Sequence, residues 1–536
     1  MNIKRAKQEI KDTIESYLLK DEYGDYVIPQ IRQRPVLLLG APGIGKTQIM
    51  EQIAKECGIG LVAYTITHHT RQSAIGLPFI SRHQYGGQEY AVTEYTMSEI
   101  VASIYNKMEK TGLKEGILFI DEINCVSETL APAMLQFLQC KMFGNHEIPQ
   151  GWIIVAAGNP PEYNKSVREF DVVTMDRVKK IEVEPDFNVW KEYAMNQQLH
   201  PAVISYLNTR TANFYRMETT VDGRKFATPR GWEDLSQILE VYEKLGKTMD
   251  REVVVQYIQH EKIAKDFANY LELYYKYQMD YQLDAVLNGT IDELLLKKAA
   301  HASFDEKLSV VSLLLSRLRG SFAKLIRQGE VLELVFASLC RMKAGLLDVQ
   351  GGAAMAVFAE ELDRVQREHE AKRAAELLTR REDRVYRDAL RRLEEYQHRL
   401  LSGKNLLNAE REAVNGRALH LSAEGTNDQA FGQSAAGTDG QIFEQLRIWF
   451  NEAQDQLDEE ETVTGGMLEH AFDFLEAAYG PGQEMVIFIT ELNSDSGSIQ
   501  FLKQYECERY YRYNRQLLFE ESGRAIEERL RQYENR

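Results

Sequence analysis

The sequence predicts an α/β fold at its N-terminal end, a parallel sheet flanked by helices, followed by a large, mostly α-helical C-terminal region. Three observations predict it. Short apolar runs at 36–39, 61–65, 117–120 and 153–157 alternate with helical patterns, which is the β–α alternation of a parallel sheet covered on both faces. Residues suited to chemistry follow three of these runs, at Gly40, Asp121 and Asn159, where such sheets place their sites. From residue 185 onward the periodicity is helical.

The chain opens with a helix and loop over 1–30. Ile3, Ile10, Ile14 and Leu18 share one helical face, and Pro29 closes the segment. The first strand, 36–39, runs into GAPGIGKT, made of Gly40, Ala41, Pro42, Gly43, Ile44, Gly45, Lys46 and Thr47. This is G-x-x-x-x-G-K-[ST] in the strand-to-helix context that it needs. Glycines let the backbone approach phosphates closely, and the loop amides with the helix N-terminus face negative charge. Lys46 reaches the β- and γ-phosphates, and Thr47 offers a hydroxyl to Mg²⁺. The bland reading is a glycine-rich turn with a surface lysine. The restrictive pattern and its flanks argue against it. The fold class is therefore an α/β P-loop NTPase core.

The second piece is GILFIDEIN at 116–124. Its continuous apolar run reads as a central parallel strand. The strand ends in two acids. Asp121 is assigned to the Mg²⁺ hydration shell, and Glu122 to polarising the attacking water. The third piece, GWIIVAAGN at 151–159, ends in an amide. Asn159 can orient the lytic water or touch the γ-phosphate. A strand-terminating Asn before Pro160 and Pro161 explains that residue equally well without its neighbours.

With these motifs in place, the chain resembles the AAA+ ATPases over roughly its first half. Residues 40–47 resemble their Walker A motif, 117–122 their Walker B motif, and Asn159 their sensor 1. Within that superfamily it is most similar to the MoxR-like, dynein-related (AAA_5-type) branch. MDRV at 175–178 resembles the branch's D-R-F stretch, with Val178 in place of the usual Phe. The resemblance implies that Arg177 is an arginine finger acting on the neighbouring subunit's site, with Arg168 as a second candidate. ATPRG at 227–231 resembles the lid motif whose arginine, here Arg230, is sensor 2. The insertion at 76–93, turning at Gly86 and Gly87, resembles the branch's hairpin within helix 2, and 141–150 its hairpin before sensor 1. By the same likeness both hairpins face a central pore.

The rest of the chain is read by periodicity. Residues 31–184 form the core, and 185–282 a helical lid. Phe267, Tyr270, Tyr274, Tyr277 and Tyr281 line one helical face. Core packing is favoured there over a base-stacking platform. Residues 283–421 are helical. Within them, 353–401 reads as one long charged stretch, either a helical hairpin or coiled coil, or a surface helix of a bundle. Pairs four residues apart, Glu360 with Arg364 and Glu376 with Arg380, support it. Residues 422–440, rich in small and polar types, read as a flexible linker. Residues 441–536 are helical, with one β-like run at 485–490 and a Tyr/Arg cluster at 505–513 read as packing.

Composition bounds the function class. The chain has 536 residues and a formal charge of −17. That acidity disfavours a general nucleic-acid binder. No apolar run is long enough to span a bilayer, and the N-terminus lacks a secretory signal's apolar stretch. Five scattered cysteines without C-x-x-C point to reduced thiols in the cytoplasm. Adjacent His68 and His69 read as a polar pair rather than a metal site.

The expected function is a Mg²⁺-dependent ATPase with ATP as its substrate. The resemblance implies a homo-oligomeric ring, hexameric by family likeness, that remodels a protein client. It also implies a partner with a von Willebrand factor A domain. Two alternatives stay open: a nucleic-acid-linked or restriction-type NTPase, and a nucleotide-switched scaffold. The choice between ATP and GTP is not legible in the motifs.

Overall fold

The computed structural model describes every residue except 69, 144, 164–169, 171, 221–222, 349–353, 419–433 and 518–536. The chain divides into two compact units, Met1–Glu272 with Ala374–Leu377, and Leu273–Arg373 with Leu378–Arg536.

In the first unit, α1 (Ile3–Leu18) is capped by Asn2, whose side chain accepts from the Arg5 amide at 3.0 Å. It buries Ala6, Ile10 and Ile14; Ile3 and Leu18 of the stripe that the periodicity marks are half-buried. Next come β1 (Val36–Gly40), α2 (Lys46–Cys57), β2 (Gly60–Thr65) and the short α3 (Arg71–Ile75). An antiparallel hairpin follows, β3 (Pro78–Tyr85) with β4 (Gln88–Tyr95), turning at Gly86 and Gly87. Then come α4 (Glu99–Thr111), β5 (Gly116–Asp121) and α5 (Ala131–Cys140). A small hairpin of β6 (Met142–Phe143) and β7 (His146–Glu147) leads to β8 (Trp152–Gly158), and α6 (Val172–Asp176) to β9 (Lys179–Val183). Both hairpins stand where the sequence placed insertions.

Five strands form one parallel sheet in the order β2-β5-β8-β1-β9. Alternate residues of the central strands bury on opposite faces. Leu37, Leu118, Ile120 and Ile154 enter one apolar cluster. Val36, Leu38, Phe119 and Val155 enter the other, with Ile10 of α1 and Ile53 of α2. Burial on both faces is why these strands read as unbroken apolar runs. The fifth strand, β9, was not among the expected four. At the sheet edge only Ile181 and Val183 are buried, too little to stand out among charged neighbours. The register places the ends of β1, β5 and β8 side by side.

The segment after the sheet holds α7 (Phe187–Asn196) and α8 (Pro201–Thr209). It was expected to be helical throughout. It instead contains a further hairpin, β10 (Arg216–Thr220) with β11 (Gly223–Ala227). Then follow α9 (Pro229–Lys244), α10 (Arg251–Tyr257) and α11 (Glu261–Asp280). Phe267, Tyr270, Tyr274 and Tyr281 are buried. Tyr206 and Trp232 pack on Phe267 at centroid distances of 5.2 and 5.4 Å, so the aromatic face is core, as favoured.

The second unit is helical: α12 (Leu283–Leu287), α13 (Glu293–Ala300), α14 (Phe304–Asp348), α15 (Ala354–Ala374), α16 (Arg380–Ala418), α17 (Ser434–Tyr479), α18 (Gln483–Ser494) and α19 (Ser496–Gln504). Within the long charged stretch at 353–401 the described residues form two helices, α15 and α16, as the hairpin reading has it. Glu376 takes a positive φ of 61° between them. Thr379 and Glu382 then cap α16 reciprocally, at 2.7 and 3.2 Å. The sequence carries that signal as T-x-x-E at 379–382. α15 and α16 pack with α14 and α17 through Phe358, Leu393, Tyr396, Val335 and Leu446, so the hairpin and the bundle readings both hold in part. Arg364 pairs with Glu361 and Glu368 rather than with Glu360.

Two further expectations are corrected. The run at 485–490 is not β-like but part of α18, because Met485, Phe488, Ile489 and Leu492 bury at helical spacing. Residues 434–440 of the expected linker begin α17, and 419–433 lie outside the described residues. In the 505–513 cluster, Cys507 and Tyr510 are buried, and Arg509 bridges Glu469 and Asp473, which is packing.

Candidate active site

The phosphate-type loop is built by two glycines in left-handed backbone. Gly43 has φ 75° and Gly45 has φ 94°, a conformation that L side chains rarely adopt. They turn the chain from β1 into α2, which opens at Lys46. Lys46 is 8% exposed. Its Nζ donates to the carbonyls of Gly40 at 2.8 Å and Ala41 at 2.9 Å, and to Asn159 Oδ1 at 2.9 Å. Burial and nearby Arg230 push its ammonium down to about 8, against the pull of Asp121 and Glu122.

Asp121 ends β5 and reaches the start of α2. Its Oδ2 accepts from Thr47 Oγ1 at 3.1 Å, and its Oδ1 accepts the Glu122 amide at 2.9 Å. A hydroxyl and a carboxylate held together are hard oxygen donors of the kind that suit Mg²⁺. Among the described residues no group of three or more His, Cys, Asp or Glu could hold a metal. A cation at Thr47 and Asp121 would complete its shell with phosphate oxygens and water, as Mg²⁺ does.

Glu122 has φ 58°, strained for a residue with a side chain. Its Oε2 accepts from Thr67 Oγ1 at 3.0 Å, in the turn just after β2. Asn159 is fixed by Asn124, which is 4% exposed. Asn124 Nδ2 donates to the Asn159 carbonyl at 2.7 Å, and the Asn159 amide donates back to Asn124 Oδ1 at 3.3 Å. Gly158 permits this approach, because a Cβ there would lie 2.6 Å from Asn124 Oδ1. Sequence reasoning missed Thr67 and Asn124. The Asn124 side chain was within reach of that reading, three residues past Asp121 in the same motif. Thr67 gave no local signal.

Arg230 comes to the loop from α9. Pro229 starts that helix, and Thr228 caps it by accepting from the Gly231 amide at 3.2 Å. The Arg230 amide donates to the Gly43 carbonyl at 3.2 Å. Arg230, Gly43, Gly45 and Thr47 open onto a cleft of about 370 Å³. Ile44, Trp190 and Phe214 give it apolar walls, and Gln48 and Tyr193 add polar groups. A cleft of that size and lining, contiguous with the loop, suits a nucleoside. Glu233 closes one side, accepting from Tyr193 at 3.0 Å and from Gln48 at 3.3 Å.

Thus Lys46, Thr47, Asp121, Glu122, Asn159 and Arg230 converge. Arg177 does not join them. It is exposed after α6 and donates to Gln139 on α5. Arg168 lies outside the described residues.

Residues 36–175 match the family model described as ATPase family associated with various cellular activities (AAA). No curated protein matches the chain. Among solved structures, a point variant of RuvB from Thermotoga maritima matches at 15% identity, covering 48% of this chain and 69% of that one. Its TM-score is 0.28.

Proposed function

We propose that this chain, which carries an AAA ATPase-family domain at residues 36–175, binds ATP with Mg²⁺ and hydrolyses it. The observation that carries the reading is the convergence on Lys46. One buried ammonium faces both the loop carbonyls and Asn159, with Asp121 and Glu122 beside it.

In the proposed reaction, Lys46 turns from the carbonyls to the β- and γ-phosphates. Thr47 and Asp121 would hold Mg²⁺, whose charge would neutralise the phosphate oxygens. Glu122, aimed by Thr67, accepts a proton from water as its oxygen bonds to the γ-phosphorus. The bond from that phosphorus to the bridging oxygen breaks, and ADP leaves with the electron pair. Asn159 orients the water, and Arg230 senses the phosphate from α9.

The MoxR-like branch, a homo-oligomeric ring of hexamer type and a protein client or von Willebrand factor A domain partner belong to the same proposal. Exposed Arg177 supports it: an arginine outside its own site is available to a neighbour's. A cytoplasmic setting is consistent with cysteines that form no disulfide among the described residues. No described helix is long and apolar enough to cross a membrane.

Phosphate release from ATP by the full chain with Mg²⁺, set beside the Lys46→Ala variant, tests this reading. We expect turnover in the parent and loss of ATP binding in the variant. A variant that binds ATP as tightly as the parent removes Lys46 from the phosphate cradle.

A further inference from the structure

The β10–β11 hairpin lies between two groups that the proposed reaction uses. Its second strand ends at Ala227, three residues before Arg230. Its own side is rigidly tied. The Phe226 amide donates to the Gln259 carbonyl at 3.0 Å. Glu218 Oε2 lies 3.3 Å from Nε2 of buried His260.

The same hairpin also grips the loop that leaves Asn159. Arg224 on β11 donates from Nη1 to the Tyr163 carbonyl and from Nη2 to the Glu162 carbonyl, the latter at 3.3 Å. Tyr215, just ahead of β10, packs with Tyr163 on the core cluster beneath the sheet. The connection from Asn159 to these carbonyls is short and stiff. Pro160 and Pro161 fix two φ angles, and the Tyr163 amide closes a turn on the Pro160 carbonyl at 3.1 Å.

We propose that this hairpin is a strap coupling Asn159 to Arg230, with Arg224 as its positioning residue. A shift of Asn159 moves the 162–163 carbonyls through the proline turn. Arg224 passes that shift along β11 into the N-terminus of α9. Arg230 rests on Gly43 through its own amide, so both ends of the strap meet the phosphate loop. The two phosphate-facing groups then respond together rather than separately. The planar guanidinium suits this, because two parallel donors fix two successive carbonyls at once. Arg224 touches no reacting atom, and the inference rests on the hydrolytic reading above.

The test uses the full chain as parent, Arg224→Ala, Arg224→Lys, Arg230→Ala and the double variant Arg224→Ala with Arg230→Ala. Loss of a charge-assisted hydrogen bond should lower kcat about tenfold in Arg224→Ala. ATP affinity should stay within about threefold, because the phosphate cradle is intact. Arg224→Lys should recover part of the rate. The double variant should be no slower than Arg230→Ala alone, the signature of two residues acting as one unit. Turnover of Arg224→Ala equal to the parent, or rate losses that multiply in the double variant, would overturn the proposal.

Hydrogen exchange over 216–227 in the parent gives an independent reading that needs neither turnover nor a folded variant. Protection that changes when a non-hydrolysable ATP analogue replaces ADP supports the strap. Identical exchange in both states overturns it. A parent that binds ATP without turnover sinks the hydrolytic reading alone.

Discussion

The ammonium of Lys46 donates to Oδ1 of Asn159 at 2.9 Å, across 113 residues of sequence. The residue that follows β8 is thereby tied to the first residue of α2. Asn159 is also held from its backbone by Asn124. Lys46 and Asn159 thus report on one another.

Thr67 holds the Glu122 carboxylate from the turn after β2. Thr67→Val keeps the side-chain shape and removes the donor. Turnover should fall about ten- to hundredfold, the scale of one hydrogen bond to a charged group. ATP affinity should be unchanged. Steady-state kinetics with a binding titration decide it, and an unchanged kcat removes Thr67 from this role.

Gly158→Ala places a methyl 2.6 Å from Asn124 Oδ1. That overpacking should cost about 1–3 kcal/mol of stability. It should also lower turnover by displacing Asn159. Thermal unfolding and phosphate release read the two effects. Parental values in both would show that Asn124 moves aside freely.

Lys141 is 5% exposed, with Nζ donating to the Gln30 carbonyl at 2.5 Å. Burial pushes its ammonium down to about 8 from the ordinary 10.5. The unfolded chain then holds the Lys141 proton more tightly than the folded one. Folding stability from this group should rise with pH between about 8 and 10.5, at no more than about 1.4 kcal/mol per pH unit. Below about 8 the charged group carries its full burial penalty. Lys141→Met should remove that rise, so the parent should gain on the variant as pH climbs through this window. Denaturant unfolding at pH 7.5 and 9.5 measures it. A constant difference contradicts the linkage.

Arg177 stands outside its own cluster and pairs with Gln139. If it serves a neighbour, Arg177→Ala should reduce turnover by about 10³–10⁵, the worth of an arginine finger. ATP binding should persist. Mixing Arg177→Ala with Glu122→Gln, each inactive alone, should restore activity at shared interfaces. Normal turnover in Arg177→Ala ends the assignment.

The site was legible where its chemistry is written in consecutive residues. The loop at 40–47, and Asp121 and Glu122 at a strand end, carry their pattern locally. Thr67 and Asn124 do not, because they act only once β2 and β5 pair and the sheet edge forms. The cleft beside Gly45 draws on α1, α7 and α9, three separated segments, so no single window of sequence shows it. β9 and the β10–β11 hairpin escaped notice for another reason. Both are short and mostly charged or exposed, so neither has the apolar run that marked β1, β5 and β8.

In the proposed reaction Glu122 removes the proton from the attacking water at a site that Lys46 and Asp121 hold independently. The decisive variant is Glu122→Gln, measured for ATP retention and phosphate release in one preparation of the full chain with Mg²⁺. ATP should remain bound at parental affinity, with turnover reduced by about 10²-fold or more. Phosphate release at the parental rate from Glu122→Gln would contradict it.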